Sequence, residues 1–336
     1  MLSLKKKVSF IIPAYNSSNT IVRCLDSIYM LALEVVDFEV IVVDDCSIDD
    51  TAQIVERYSN THSNITLLVQ SENCRQGAAR NRGVNIAKGK YIVFVDSDDE
   101  SVFGVRDALQ LAEKYNLDMV AMHYINMDEH GNILEKESID LYGVFTGIEM
   151  QTKHPFWCTG PVPYVYKKSF LLKVNYPFEE NVLFEDTDFV TIHLYYAKRM
   201  MYSAQCAYCI HYNATSTTRT TTYKHIADYL LLGTRMLNFY CSLNNKSDEY
   251  ALGILEGGSY NIWKSCTQLL KLSSIVNIQE FYKRIDSFID RTTLMGYAEP
   301  KYCWTWWTKL CLKHRFIAMF FIFIGQIGYK LKRMIK

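Results

Sequence analysis

The chain has no net charge to spare. It has 336 residues, with 36 Lys and Arg balanced by 36 Asp and Glu. Such a balance leaves no electrostatic footprint for a polyanion, so no nucleic acid is expected among its partners. No long apolar stretch precedes the first strand-like run in MLSLKKKVSF, so no secretory signal is expected. The ten cysteines include one C-x-x-C, Cys206 and Cys209, and no second pair to complete a zinc site. They read as thiols of a reducing compartment, and the N-x-S/T triplets at Asn16, Asn64, Asn213 and Asn245 then read as chance. There is no internal repeat and no low-complexity linker. No G-x-G-x-x-G follows the first apolar run, where PAYNSSNT stands instead, which removes the dinucleotide-binding fingerprint of a dehydrogenase. The same segment lacks the Gly-rich, basic loop that a sugar nucleotidyltransferase would need to grip a triphosphate. From Lys301 to Lys336 there is no Asp or Glu against eight Lys and Arg. The preceding 300 residues hold 28 basic and 36 acidic residues, a balance of −8, so a basic tail follows a mildly acidic body.

What is present, in the first 120 residues, is an alternation. Strands are expected at Val8–Pro13, Glu39–Val43, Ile65–Val69 and Tyr91–Val95. Between the first two, Ile21, Leu25, Ile28 and Leu31 recur at helical spacing. Ser47 and Asp50 have the spacing of a capping box opening a second helix through Ile54, Val55 and Tyr58. A third helix is expected over Gly77–Ala87, with Lys88 as a basic last turn and Gly89 as its stop. Near-continuous apolar strands alternating with helices predict a mostly parallel α/β sheet covered on both faces. Ligands of such sheets lie outside the carboxyl ends of the strands. Pro13, Ala14, Tyr15 and Asn16, then Asp44 and Asp45, then Asp96 to Asp99 all fall at those ends.

The last of these, in YIVFVDSDDE, is the most specific. Three carboxylates, Asp96, Asp98 and Asp99, occupy four positions directly after a β-branched and aromatic strand. They repel one another unless a cation or hydrogen-bond donors compensate. Oxygen-only ligands suit Mg²⁺ or Mn²⁺, whose shells are completed by substrate phosphates, so a diphosphate-bearing substrate is expected there.

The middle of the chain is less regular. It carries Gly160-Pro161-Val162-Pro163, a helix expected over Glu185–Tyr196 with Phe189, Ile192, His193 and Tyr196 on one face, and a strand over Tyr202–Tyr212. Residues 226–296 read as helical, with a stripe of Tyr229, Leu232, Met236 and Phe239. Phe316–Tyr329 is fourteen mostly apolar residues, too short to span a bilayer unaided. Flanking cations together with Trp304, Trp306 and Trp307 fit a segment lying at an anionic membrane surface.

VSFIIPAYN, then VIVVDDCSIDDT, then GAARNRGVNIAKGKYIVFVDSDD closely resemble the family-2 inverting glycosyltransferases with the GT-A fold, of bacterial surface-polysaccharide type. The resemblance is dense over the first 100 residues and resumes at CTGPVPYVYKKSFL and VLFEDTDF. It implies a nucleotide-sugar donor, usually a UDP-sugar, with Pro13, Ala14 and Tyr15 lining base and ribose. Asp45 would accept the uracil imide N–H, with Asp44 its neighbour, Arg80 would contact the nucleotide and Asp96 the ribose. Asp98 or Asp99 would reach the divalent metal, and His211, after the next strand-like run, is a further candidate ligand. Asp186 matches the catalytic base, with Glu185 beside it. The acceptor implied is a lipid-linked or growing surface glycan, handled from the cytoplasm at the inner face of the membrane. Expected regions are a transferase domain over 1–225, with a nucleotide-sugar half to 120, a helical region over 226–300 and a basic aromatic tail over 301–336. A catalytically inactive assembly subunit is the alternative of a different class. Oligomeric state, donor sugar and linkage carry no signal.

Overall fold

The computed structural model describes residues 6–135, 138–154, 160–213, 222–246 and 249–269. The chain divides into two compact units, one made of residues 1–181 and 185–215, the other of 182–184 and 216–336.

The first unit is built on one sheet. Strands β1 (Val8–Ala14), β2 (Phe38–Asp44), β3 (Ile65–Val69) and β4 (Tyr91–Phe94) are parallel, in the order β3-β2-β1-β4. Beyond β4 the sheet turns mixed. β8 (Tyr164–Lys167) runs antiparallel to both β4 and β6 (Met119–Met127), and β9 (Met200–Ile210) is parallel to β6. The two-residue β5 (Glu100–Ser101) closes on β9, and β7 (Ile133–Glu135) pairs with β6. Parallel strands need crossovers, and helices α1 (Ile21–Tyr29), α2 (Thr51–Ser59) and α3 (Arg75–Ile86) supply them. The remaining helices of the unit are α4 (Gly104–Tyr115), α5 (Gly147–Lys153), α6 (Lys168–Val174) and α7 (Asp186–Tyr196).

The apolar pattern explains the layering. Every residue of β1 and β2 is buried, as is every residue of β4, because helices cover both faces. Phe10, Ile11 and Ile12 each contribute about 1.5–3 kcal/mol by leaving water. Edge strand β3 is only half covered. Ile21, Leu25, Ile28 and Leu31 are all buried, as their spacing predicts. Helix α3 lies so close to β1 that a Cβ on Gly83 would stand 2.4 Å from the Ile11 side chain. Only glycine allows that approach.

Several local expectations fail for identifiable reasons. The Ser47–Asp50 capping box does not form, because the Ser47 backbone and hydroxyl donate to Asp44 instead. Asp49 starts α2 by accepting the Thr51 N–H at 3.0 Å. Helix α3 begins at Arg75, earlier than Gly77, because the Asp45 carboxylate accepts the N–H groups of Cys74 and Arg75. It ends without a left-handed cap, at an extended Ala87, and the Lys88 N–H goes to Glu39. On α7, Phe189, Ile192 and His193 are buried but Tyr196 is 41% exposed. Cys206 and Cys209 are both free thiols.

In the second unit, α8 (Tyr223–Ser242) and α9 (Glu249–Leu269) pack together, with the Ser265 hydroxyl donating to Ile226 O at 2.6 Å. Tyr229, Leu232 and Met236 are buried on α8. The Leu183 N–H donates to Asp228 at 2.9 Å and Phe184 stacks on Tyr229. Among the described residues no helix is long and apolar enough to cross a membrane. The membrane-surface segment expected over 301–336 lies outside the described residues, as does helix expected beyond 269.

Candidate active site

Parallel pairing of β1, β2 and β4 brings their carboxyl ends to one edge. The chain leaves β1 through Pro13 and Ala14, both buried, into Tyr15, which is 45% exposed. Asp44 ends β2 almost fully buried and is engaged by Ser47. Asp45 follows it, equally buried. Its Oδ1 accepts from the Gln70 amide and from the Cys74 N–H at 2.8 Å, and its Oδ2 accepts from the Arg75 N–H at 2.7 Å. Burial raises the Asp45 carboxyl above the usual carboxylate range, and these donors act against that rise.

After β4 comes the acid loop. Its Ser97 hydroxyl meets that of Ser17 at 2.7 Å, joining the β1 and β4 exits. Asp98 is partly exposed, and its Oδ2 accepts from the Asn213 amide at 2.7 Å. Asp99 is buried. Its Oδ2 accepts the Tyr208 hydroxyl at 3.0 Å and its Oδ1 the His211 N–H at 2.8 Å. Burial first, then the charges of Asp96 and Asp98, push the Asp99 carboxyl well up. The His211 Nε2 lies 3.0 Å from Glu100 Oε1 but outside hydrogen-bond geometry, so this buried nitrogen has no hydrogen-bond partner among the described residues.

A second acidic cluster opens α7. Glu185 is the residue before the helix and Asp186 is its first residue, where the positive end of the helix dipole favours negative charge. Arg80, on α3, joins this cluster to the acid loop. Its guanidinium is nearly inaccessible, with Nη1 2.5 Å from Glu185 Oε1 and Nη2 2.8 Å from Asp96 Oδ1. Gln76 accepts from the same Nη2 at 3.3 Å, and the group lies 5.4 Å from the centre of the Phe178 ring. Desolvation alone would lower the proton affinity of Arg80, but Asp96 and Glu185 outweigh it, so the cation is permanent. Gly77 makes this arrangement possible, since a Cβ there would stand 2.3 Å from Glu179 O and 3.1 Å from the Glu185 side chain. Glu185 is buried, and burial raises its carboxyl against the pull of Arg80. Asp186 is partly exposed and pairs with no cation directly. Burial of its carboxyl, followed by the charge of Glu185, pushes it up to about 7, with Arg80 opposing.

Residues 9–175, which contain the β1, β2 and β4 edge and Arg80, match the model for Glycosyl transferase family 2. The chain belongs to this family. Over 227 residues this glycosyltransferase is 27% identical to the uncharacterized glycosyltransferase YibD of Escherichia coli K12, covering 65% of each chain. Over 126 residues it is 33% identical to the poly(ribitol-phosphate) beta-N-acetylglucosaminyltransferase TarS of Staphylococcus aureus Mu50, covering 37% of this chain and 22% of that protein. In neither relative does the match reach two thirds of the relative's length. The crystal structure of S. aureus TarS 1–349 in complex with UDP-GlcNAc superposes with a TM-score of 0.72 at 19% identity, covering 97% of this chain and 92% of that one. The fold is GT-A, a mostly parallel α/β sheet between helices.

The geometry gathers Arg80, Asp96, Asp98, Asp99, Glu185, Asp186 and His211 into two linked clusters in the first unit of this glycosyltransferase, whereas Asp45 is held apart from them by Gln70, Cys74 and Arg75. Among the described residues, no group of three or more His, Cys, Asp or Glu side chains is arranged to hold a metal. Two observations nevertheless suit a divalent ion with an incomplete protein shell: the unbonded His211 Nε2, and an Asp98 carboxylate with one oxygen taken by Asn213. Sequence reasoning missed Tyr208, Asn213 and Gln70. Each acts through a partner 25 or more residues away, so no local spacing could signal it. Ala207, Tyr208 and Cys209 are buried in succession on β9, so strand alternation does not single out Tyr208 or say what its hydroxyl meets.

Proposed function

We infer that the enzyme transfers a sugar from a UDP-sugar to a glycan hydroxyl with inversion, in a single displacement. The observation that carries this is the Asp186 carboxyl. It stands at the start of α7 with its proton affinity raised to about 7 and is linked through Glu185 and Arg80 to Asp96 at the end of β4. A base works best with a pKa near the working pH. Asp186 takes the proton of the acceptor hydroxyl while the oxygen bonds to the anomeric carbon and the sugar–diphosphate bond breaks on the opposite face. Glu185 is less suited to that role because it is buried against Arg80.

On the donor side, Pro13, Ala14 and the exposed Tyr15 are placed to line base and ribose, Asp45 and Asp44 to meet the base, and Asp96 the ribose. UDP as the nucleotide is supported by the likeness to TarS, which was crystallised with UDP-GlcNAc. A divalent ion, Mn²⁺ or Mg²⁺, would stabilise the departing diphosphate as a Lewis acid when bound. Asp98 and His211 would hold it, with Asp99 the other carboxylate of the loop. The acceptor proposed is a growing surface glycan or its lipid-linked precursor, and a polymeric acceptor is supported by the likeness to a transferase named for poly(ribitol-phosphate). The transferase domain is proposed over 1–225, with 226–300 a helical region and 301–336 a basic tail that seats the enzyme on the anionic inner face of the membrane.

The test is turnover of a panel of nucleotide-sugars with Mn²⁺ and with EDTA, followed by the anomeric configuration of the product. Metal-dependent turnover of a UDP-sugar with inverted product is expected. Tight UDP binding without turnover of any donor would favour an assembly subunit, and retention of configuration would remove the single displacement.

A further inference from the structure

We propose that Tyr208 is a positioning residue of the donor site, whose hydroxyl pins the acid loop so that Asp98, and not Asp99, is presented to the cation and diphosphate. This rests on the donor-site reading above and narrows it. Tyr208 lies in β9 and is fully buried. Its oxygen accepts the Asp96 N–H at 2.9 Å, and its own proton is left to donate to Asp99 Oδ2 at 3.0 Å. A hydroxyl has one proton, and a backbone N–H can only donate, so both roles are fixed. The loop closes on itself through the Asp99 N–H to Asp96 O at 3.0 Å. The remaining oxygen of Asp99 accepts the His211 N–H at 2.8 Å. β9 and the residue just after it thus hold the turn from Asp96 to Asp99 at three points, two through the Tyr208 hydroxyl and one through the backbone of His211.

The arrangement separates the two carboxylates that the sequence leaves as alternatives. Asp99 is 5% exposed and each of its oxygens is turned to an internal donor, Tyr208 or His211, so it is the less accessible carboxylate for a cation. Asp98 is partly exposed, and its single side-chain partner is the amide of Asn213. Asp99 therefore acts as an internal bracket. It receives Tyr208 and the start of the segment carrying His211, and so sets the distance between the acid loop and the imidazole whose Nε2 lacks a hydrogen bond.

The experiment is titration calorimetry of UDP into the intact chain, with Mn²⁺ and with EDTA. It compares wild type, Tyr208→Phe, Asp99→Asn, their combination, and Asp98→Asn. Tyr208→Phe removes one oxygen and leaves the ring. The gain in UDP affinity from Mn²⁺ should fall about tenfold, as for loss of one hydrogen bond to a charged group, over and above any change that loosening Asp96 makes in the metal-free affinity. In the Asp99→Asn background, Tyr208→Phe should cost less than it does alone, because the two substitutions share one of the hydroxyl's two contacts. Asp98→Asn should remove the Mn²⁺ gain. A full Mn²⁺ gain in Tyr208→Phe, or independent, additive effects of Tyr208→Phe and Asp99→Asn, overturns the inference alone. If Tyr208→Phe does not fold, the two carboxylate variants decide, and a greater loss in Asp99→Asn than in Asp98→Asn overturns it. A wild type with no Mn²⁺ gain defeats both this inference and the metal-assisted reading beneath it.

Discussion

The acid loop after β4 and the acidic start of α7 solve the same problem in opposite ways. Each crowds carboxylates that would repel one another. At α7 the compensating cation is part of the protein, the buried Arg80, and it pairs with Glu185 and Asp96. In the acid loop no Lys or Arg side chain pairs with the carboxylate of Asp98 or Asp99 among the described residues, and the compensation comes from neutral donors: Tyr208, the His211 N–H and Asn213. A cluster with a built-in cation has part of its negative charge offset within the protein, which suits the role proposed for Asp186 beside it as a proton acceptor. A cluster held by neutral donors keeps its excess negative charge and suits a cation brought from outside.

Asp186→Asn gives the sharpest test of that division. Transfer should fall by about 10²–10⁴, the usual cost of losing a positioned general base. UDP affinity should remain close to wild type, because the donor cluster is untouched. Stability should move the other way. Burial holds the folded carboxyl at about 7, against about 3.9 when unfolded, so the folded state loses stability progressively as pH rises from about 4 to about 7 and no further above that. The Asn variant escapes that loss and should melt higher than wild type at pH 8 and not at pH 4. A variant that keeps wild-type turnover would move the base to Glu185.

Next in size is Arg80→Gln, which leaves the buried Glu185 and the partly exposed Asp96 without their cation. Breaking a buried pair by removing one partner costs about 3–5 kcal/mol, measurable by denaturant unfolding. Arg80→Lys keeps the charge but loses the fork that reaches both carboxylates, so its loss should be smaller. If Arg80→Gln unfolds at the wild-type denaturant midpoint, the built-in cation is not what holds the α7 cluster.

The parts of this comparison differ in how far they could be read from sequence. Strands β1, β2 and β4 announce themselves because both their faces are buried and their residues are mostly apolar or β-branched, and the half-covered edge strand β3 keeps the same composition. Their shared carboxyl edge follows from parallel pairing alone. Asp98 and Asp186 stand out because local motifs surround them. The connection between clusters was not legible. Arg80 and Glu185 are 105 residues apart, and an arginine in the middle of a helix gives no sign that it will be buried. Local capping rules also misled at Ser47, where a nearer carboxylate, Asp44, took the hydroxyl. Beyond β4 the sheet changes direction at β8, a tertiary choice with no counterpart in periodicity.

The pH profile is the next expected effect. Because Asp186 must be ionised to accept a proton, kcat should rise with pH and level off above a midpoint near 7. Arg80 opposes the upward shift of that carboxyl, so a folded Arg80→Lys variant with weaker contact should show the midpoint displaced upward. The metal-dependent UDP affinity of that variant should change less than its midpoint, since the cation acts on the base. Equal displacement of both would mean that the two clusters behave as one electrostatic unit.

The smallest expected effect lies in the acid loop itself. The Ser97 and Ser17 hydroxyls meet at 2.7 Å and fasten the loop to the exit of β1, away from the α7 cluster. Removing one buried hydroxyl loses a net contribution of about 1 kcal/mol while Ser17 keeps its bond to Tyr15 O, so Ser97→Ala should lower stability by about 1 kcal/mol. The loop would be held by fewer points, which should weaken UDP binding in the presence of Mn²⁺ slightly. Asp186 lies in the other cluster, so the kcat midpoint should stay at the wild-type pH. A Ser97→Ala variant whose midpoint moves as far as that of Arg80→Lys would show that the loop reaches the base by a route other than the guanidinium, and the division between the clusters would have to be redrawn.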